Sequence, residues 1–186
     1  PNPDGTMIAV AVAGFYGDFP GTVHIVEADG TNPREVMRYT AIATATEGQF
    51  APQMQWVGVD TFRLAIPDPD LVYLDDSQDL PSTPLWQVDA TTGEASQIGD
   101  ARATFFGLPV WNDSGTRLAS LTWYRAENNM LALTITNGDG SGAERVAIAA
   151  LGGVVPQGWV PGERLVYTQS GILYLSALDT SAESLL

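Results

Sequence analysis

The chain has 186 residues, 45% of them hydrophobic and 16% charged, which is too apolar for a disordered chain and too poor in charge for a coiled coil. Its eight basic residues, all Arg, stand against 22 acidic ones, for a formal net charge of −14, and such a surface repels phosphate backbones and anionic lipid, arguing against nucleic acid and membrane-surface partners. The absence of cysteine excludes a disulfide scaffold, a thiolate metal site and a Cys nucleophile.

In chain order, the apolar runs are short and bounded by turn residues. Residues 7–13 and 22–26 come first, then 62–66, 85–88, 118–124, 131–136, 165–168 and 172–175. Asp29-Gly30, Thr92-Gly93, Asp139-Gly140 and Ser170-Gly171 stand between runs as small-residue pairs able to take positive φ. The helical period is almost absent, and its best window, residues 36–46, predicts a short connecting segment at most. No apolar run approaches the roughly 20 residues needed to span a bilayer. The pattern predicts an all-β fold built from hairpins.

A repeat of about 50 residues then sets the architecture. Pro52 precedes Trp56, Pro109 precedes Trp111, and Pro156 precedes Trp159. Each Trp is followed by a polar turn and a strand, over residues 61–66, 116–121 and 163–168. The first residues join the template from the turn onward. Laid over residues 112–119, residues 3–10 place Asp4 on Asp113 and Gly5 on Ser114. A third strand, a tight turn and a fourth strand follow in each unit. Four short strands per unit at this spacing predict β-propeller blades of four antiparallel strands. The approximate blades are 1–46 lacking its first strand, 50–100, 105–150 and 154–186. About four blades are present, and an open end leaves an uncovered face and an unpaired edge. The count, together with a start at Pro1 and no signal peptide, predicts a segment of a longer chain or one closed by another molecule. The three repeat Trp residues are expected to pack between blades.

The motif Pro3-Asp4-Gly5 followed by Ile8-Ala9, and Trp111-Asn112-Asp113-Ser114-Gly115 followed by Leu118-Ala119, resembles that of the TolB-type, WD-repeat-like β-propellers. Trp56-Val57-Gly58 and Trp159-Val160-Pro161-Gly162 resemble degenerate copies of it. The resemblance covers nearly the whole chain. It implies the fold and a periplasmic, secreted or surface-attached location; this repeat serves many functions.

Chemistry-bearing residues are few. His24 is the only histidine and lies within an apolar strand, where a structural role is expected. Asp68, Asp70, Asp75, Asp76 and Asp79 put five carboxylates into an insertion between strands, a potential set of oxygen ligands for Ca²⁺ or an ordinary solvated loop. Residues 137–142 open like an EF-hand loop, but Arg145 and Ile148 occupy its ninth and twelfth positions, so a hairpin turn is expected there. No catalytic, cofactor-binding or metal residues are assigned, and no cofactor is expected. The sequence therefore predicts a non-catalytic propeller scaffold or protein-interaction module of an extracytoplasmic protein, with a protein partner, no nucleic acid and no membrane insertion. The alternatives are a substrate-gating propeller whose serine-peptidase domain, resembling the prolyl oligopeptidases, lies outside this chain, and a Ca²⁺- or carbohydrate-binding surface protein.

Overall fold

The structure, a computed structural model, describes residues 1–12, 20–39, 52–66, 82–101, 109–124, 130–150, 153–161, 163–176 and 182–184. They form four antiparallel sheets, each running in sequence order. The first holds β1 (Met7–Val12), β2 (Gly21–Glu27) and β3 (Arg34–Tyr39). The second holds β4 (Gln53–Trp56), β5 (Thr61–Ala65), β6 (Thr83–Asp89) and β7 (Ala95–Ala101). The third is β8 (Val110–Trp111), β9 (Arg117–Tyr124), β10 (Met130–Asn137) and β11 (Glu144–Ala150). The fourth is β12 (Val154–Val160), β13 (Arg164–Gln169), β14 (Ile172–Ser176) and β15 (Ala182–Ser184). No helix occurs among the described residues, and none is long and apolar enough to cross a membrane. Of the window expected to connect elements, Val36 to Tyr39 belongs instead to β3, because β-branched and aromatic residues suit a pleated surface; residues 40–46 lie outside the described residues.

Three cores form where consecutive sheets stack face to face. Val23 and Ile25 of the first sheet meet Phe62, Leu64 and Val88 of the second. Ala65 and Leu85 of the second meet Trp111 and Leu118 of the third. Ala119, Leu121, Leu131 and Leu133 of the third meet Val154, Leu165 and Tyr167 of the fourth. Side-chain alternation explains the division: in β5, Phe62 and Leu64 face back to the first sheet while Arg63 and Ala65 face forward to the third. In β10, Leu131, Ala132, Leu133 and Thr134 are all buried, as expected of a strand covered on both faces.

One bulge recurs. The outer strand carries one extra residue against its partner at Val36 in β3, Ile98 in β7 and Val146 in β11. Each of these β-branched residues packs against the core shared with the following sheet. A bulge adds local twist and re-aims a side chain, so the same device sets the stagger of three successive sheets.

The two rims differ. At one rim the connections are tight turns, and a backbone bond ties the turn after the third strand to the turn before the second in three sheets: Ala28 N–H to Thr6 O at 2.9 Å, Ala90 N–H to Asp60 O at 2.7 Å, and Gly138 N–H to Thr116 O at 2.8 Å. These bonds correct the expected alignment by one residue. Asn2 corresponds to Asn112 and Gly5 to Gly115, because each Asn side chain accepts the amide of the residue five on (Met7 at 2.9 Å, Arg117 at 3.0 Å) and each Gly takes positive φ. At the other rim β5 ends and β6 begins, as do β1 and β2, and the connections there include the long segments of the chain.

Candidate functional site

The tight-turn rim is acidic, and four of its carboxylates are engaged with the turns that carry them. Asp29 Oδ1 accepts from the Thr31 amide at 2.9 Å and hydroxyl at 2.6 Å, and Asp139 Oδ1 accepts from the Ser141 amide and hydroxyl at the same distances. Asp4 does the same with Thr6, and Asp89 accepts from the amides of Thr91 and Thr92. These bonds hold all four carboxyls below the ordinary Asp value: the Thr6, Thr31 and Ser141 hydroxyls are the largest cause for Asp4, Asp29 and Asp139, and the Thr92 amide for Asp89. Among the described residues no three His, Cys, Asp or Glu side chains gather where a metal ion could be held.

The polar side chains between sheets act as locks. Arg63 on β5 reaches into the third sheet, where Nη1 donates to the carbonyls of Gly115 and of Gly138 (3.0 Å for the latter), while Nη2 donates to Gln87 at 3.3 Å. Burial pulls this guanidinium below its ordinary value, the Asp139 carboxylate opposing, and Nε is left without a hydrogen-bond partner. A Cβ at Gly138 would run into Gly115 O and Arg63 Nη1, so the approach requires glycine there. Gln55 on β4 engages both the N–H and the carbonyl of Trp111, and Trp111 Nε1 donates to Gly138 O at 2.8 Å. Trp159 Nε1 donates to Val110 O at 2.8 Å, and Asn2 Nδ2 to Val59 O at 2.9 Å. Each pair of consecutive sheets thus carries at least one side-chain bond to backbone as well as an apolar core.

The residues singled out from sequence fall as follows. Trp111 is fully buried between the second and third sheets, and Trp56 and Trp159 pack against the first-to-second and third-to-fourth cores. His24 lies outside any core, on the face of β2 opposite Val23 and Ile25, its Nε2 2.9 Å from Thr22 Oγ1. Thr22 and His24 are next-but-one neighbours on one strand face, and Glu35, across from His24, hydrogen-bonds Arg38. Residues 137–142 form the end of β10 and the turn into β11. Residues 68–79 lie outside the described residues. The bulge residues Val36, Ile98 and Val146 and the locks Gln55 and Arg63 went unmarked in the sequence. The broken alternation in ERVAIAA was the available signal for Val146; Gln55 and Arg63 gave none, since each locks a sheet distant in sequence.

Among the described residues, large apolar side chains are exposed on both end faces, and also at Val59 on the tight-turn rim and at Ile172 on the other face of the fourth sheet. The first sheet turns Ile8, Val10, Val12, His24 and Val26 away from the second, with Val10 39% and Val12 50% exposed. Among the described residues, its β1 has β2 on one side and no strand on the other. The fourth sheet turns Val155, Val166, Thr168 and Leu173 away from the third, with Val155 40% and Leu173 41% exposed. A flat apolar face beside a polar fringe suits association rather than bond-making.

No family model matches the chain, and no curated protein matches it. Solved structures do. TolB from Acinetobacter baumannii is 13% identical over 97% of this chain and 41% of its own, with a TM-score of 0.57. An oligogalacturonate lyase from Vibrio parahaemolyticus is 12% identical over 98% of this chain and 50% of its own, at 0.61. The β-propeller domain of the Trilobed protease from Pyrococcus furiosus is 12% identical over 98% of this chain and 54% of its own, at 0.54. The chain therefore spans about half the length of these proteins, and at such identity the likeness speaks to the fold alone: four antiparallel sheets stacked as blades make this chain a β-propeller segment.

Proposed function

We propose that the chain is a non-catalytic propeller module of an extracytoplasmic protein, acting as a scaffold that binds other proteins. The observation that supports this reading most is the contrast between its polar and apolar groups. The rim carboxylates of Asp4, Asp29, Asp89 and Asp139, the buried Arg63 and the indoles of Trp111 and Trp159 serve turns and sheet-to-sheet locks, whereas most of the exposed large apolar side chains stand on the two end faces. A protein of net charge −14 keeps apolar surface uncovered where something covers it in use. The extracytoplasmic location follows from the resemblance of its repeat motif.

A photocrosslinking amino acid at Val10 or at Leu173, with one at Thr31 on the tight-turn rim as control, tests the reading in native cells. Discrete adducts to protein at either end face, and none at Thr31, are expected. Adducts at neither end face would overturn it.

A further inference from the structure

We propose that Asn137-Gly138 is a self-modification site gated by the fold. The dipeptide closes to a succinimide only when its turn opens, and the isoaspartyl product no longer fits between the second and third sheets.

Asn followed by Gly is the sequence in which this ring closure meets least hindrance, because glycine puts no side chain beside the attacking nitrogen. It occurs once in the chain. The reaction balances with water as its only co-reactant. The Gly138 N–H gives up its proton, its nitrogen bonds to Cγ of Asn137, and the side-chain nitrogen leaves as ammonia. Water then breaks one of the two C–N bonds of the ring. Breaking the new bond to Cγ gives aspartate. Breaking the original peptide bond gives isoaspartate, with the main chain running through Cβ and Cγ and one methylene longer. Either product adds a negative charge to a chain already at −14.

In the fold both reacting groups are occupied. The Gly138 N–H donates to Thr116 O at 2.8 Å, and Asn137 Nδ2 donates to Ser141 Oγ at 3.0 Å. The surrounding main chain is tied as well. The Asn137 N–H donates to Ser141 O and the Asn137 carbonyl accepts the Gly140 N–H, each at 2.9 Å. Gly138 O accepts from Arg63 Nη1 and from the Trp111 indole. Asn137 itself is exposed, so its protection comes from these bonds and not from burial. Asp4-Gly5, Asp29-Gly30 and Asp139-Gly140 close the same ring only from a protonated carboxyl, and their hydrogen bonds keep those carboxyls ionised.

The longer product has no room. A Cβ at Gly138 would strike Gly115 O and Arg63 Nη1, one at Gly140 would strike Asp100 O, and one at Gly99 would strike Asp139 O. The turn that carries Asn137 is thus wedged against the second sheet with no space for an added methylene. Lengthening the chain at this point displaces Gly138 O from both of its side-chain donors.

Peptide mapping that separates asparagine, aspartate and isoaspartate at position 137 tests this on the purified chain held in mildly alkaline buffer. Conversion should be at least about tenfold slower in the native chain than in urea, as for a site that reacts only from an opened state. Arg63→Met removes one hold on Gly138 and should speed native conversion at least about fivefold, the factor that goes with one lost buried hydrogen bond. Ser141→Ala frees the Asn137 carboxamide at an exposed position and should speed conversion with circular dichroism unchanged. The isolated isoaspartyl chain should melt below Asn137→Asp, which carries the same charge on an unaltered main chain. Equal rates in the native and urea-unfolded chains, a native rate unmoved by both variants, or an isoaspartyl chain that melts with Asn137→Asp each overturns the proposal.

Discussion

At the scale of single residues, the group that decides most is Arg63. It spends one guanidinium on two carbonyls of the next sheet and one side chain of its own, yet keeps Nε unpartnered under burial. Replacing a buried ion by an apolar side chain of similar volume can be neutral when its partners are removed too. Here the partners are backbone carbonyls that stay. Gly138 O retains the Trp111 indole, but Gly115 O loses the one side-chain donor it has among the described residues. Arg63→Met is therefore expected to destabilise by about 1–3 kcal/mol, the cost of an unsatisfied buried acceptor. A lower urea midpoint at unchanged slope would show it, and an unchanged midpoint would mean that Gly115 O is satisfied by water. Because Trp111 shares Gly138 O with Arg63, Trp111→Phe combined with Arg63→Met should depart from additivity.

At the scale of elements, the strands differ in what covers them, and their opening should differ likewise. β10 is paired on both sides and buried on both faces, whereas among the described residues β1 has one paired side and one exposed face. Amide hydrogen exchange should find β10 opening with the free energy of global unfolding and β1 opening well below it. Equal protection in the two strands would refute this ordering. The same difference in cover explains what the sequence could tell. Second and third strands such as residues 118–124 and 131–136 announce themselves as mainly apolar runs, uncharged and broken only by Ser or Thr, because sheets lie on both faces. Outer strands such as ASQIGDA in β7 do not, having polar residues along an exposed edge, and became visible only through the repeat. The one-residue error in laying residues 3–10 over 112–119 has a physical origin. Asp4 and Asp113 look alike as letters, but the turn is specified by the Asn that caps it and the Gly at positive φ, and these fix the register. Of the candidate site, the repeat Trp residues were legible from their spacing. The end faces were not, since Ile8, Val10 and Val12 in an apolar run look the same whether or not a neighbouring sheet covers them.

At the scale of the whole molecule, the four rim carboxylates of Asp4, Asp29, Asp89 and Asp139 contribute to the response to acid. Each is held below its ordinary value in the fold, so each contributes stability that is present above the unfolded Asp value of about 3.9 and is lost as pH falls through the lower folded value. A variant with Asn at all four positions can still form the turns and loses only the charged part of the bonds. The melting temperature of the native chain should exceed that of the variant at neutral pH, and the gap should close below about pH 4, measured in enough salt to screen the net charge. A gap that widens with acid would reverse the assignment. The unequal rims also divide the molecule's freedom to change. One rim holds the capped Asn residues, the glycines at positive φ and the bonds that stitch turn to turn, so a lengthened or shuffled segment there would unpick the stack. The other receives the chain's longer connections, and the sheet-to-sheet locks among the described residues do not depend on it. Descendants of this fold can therefore acquire new specificities by editing one end of every blade while inheriting the opposite end unaltered.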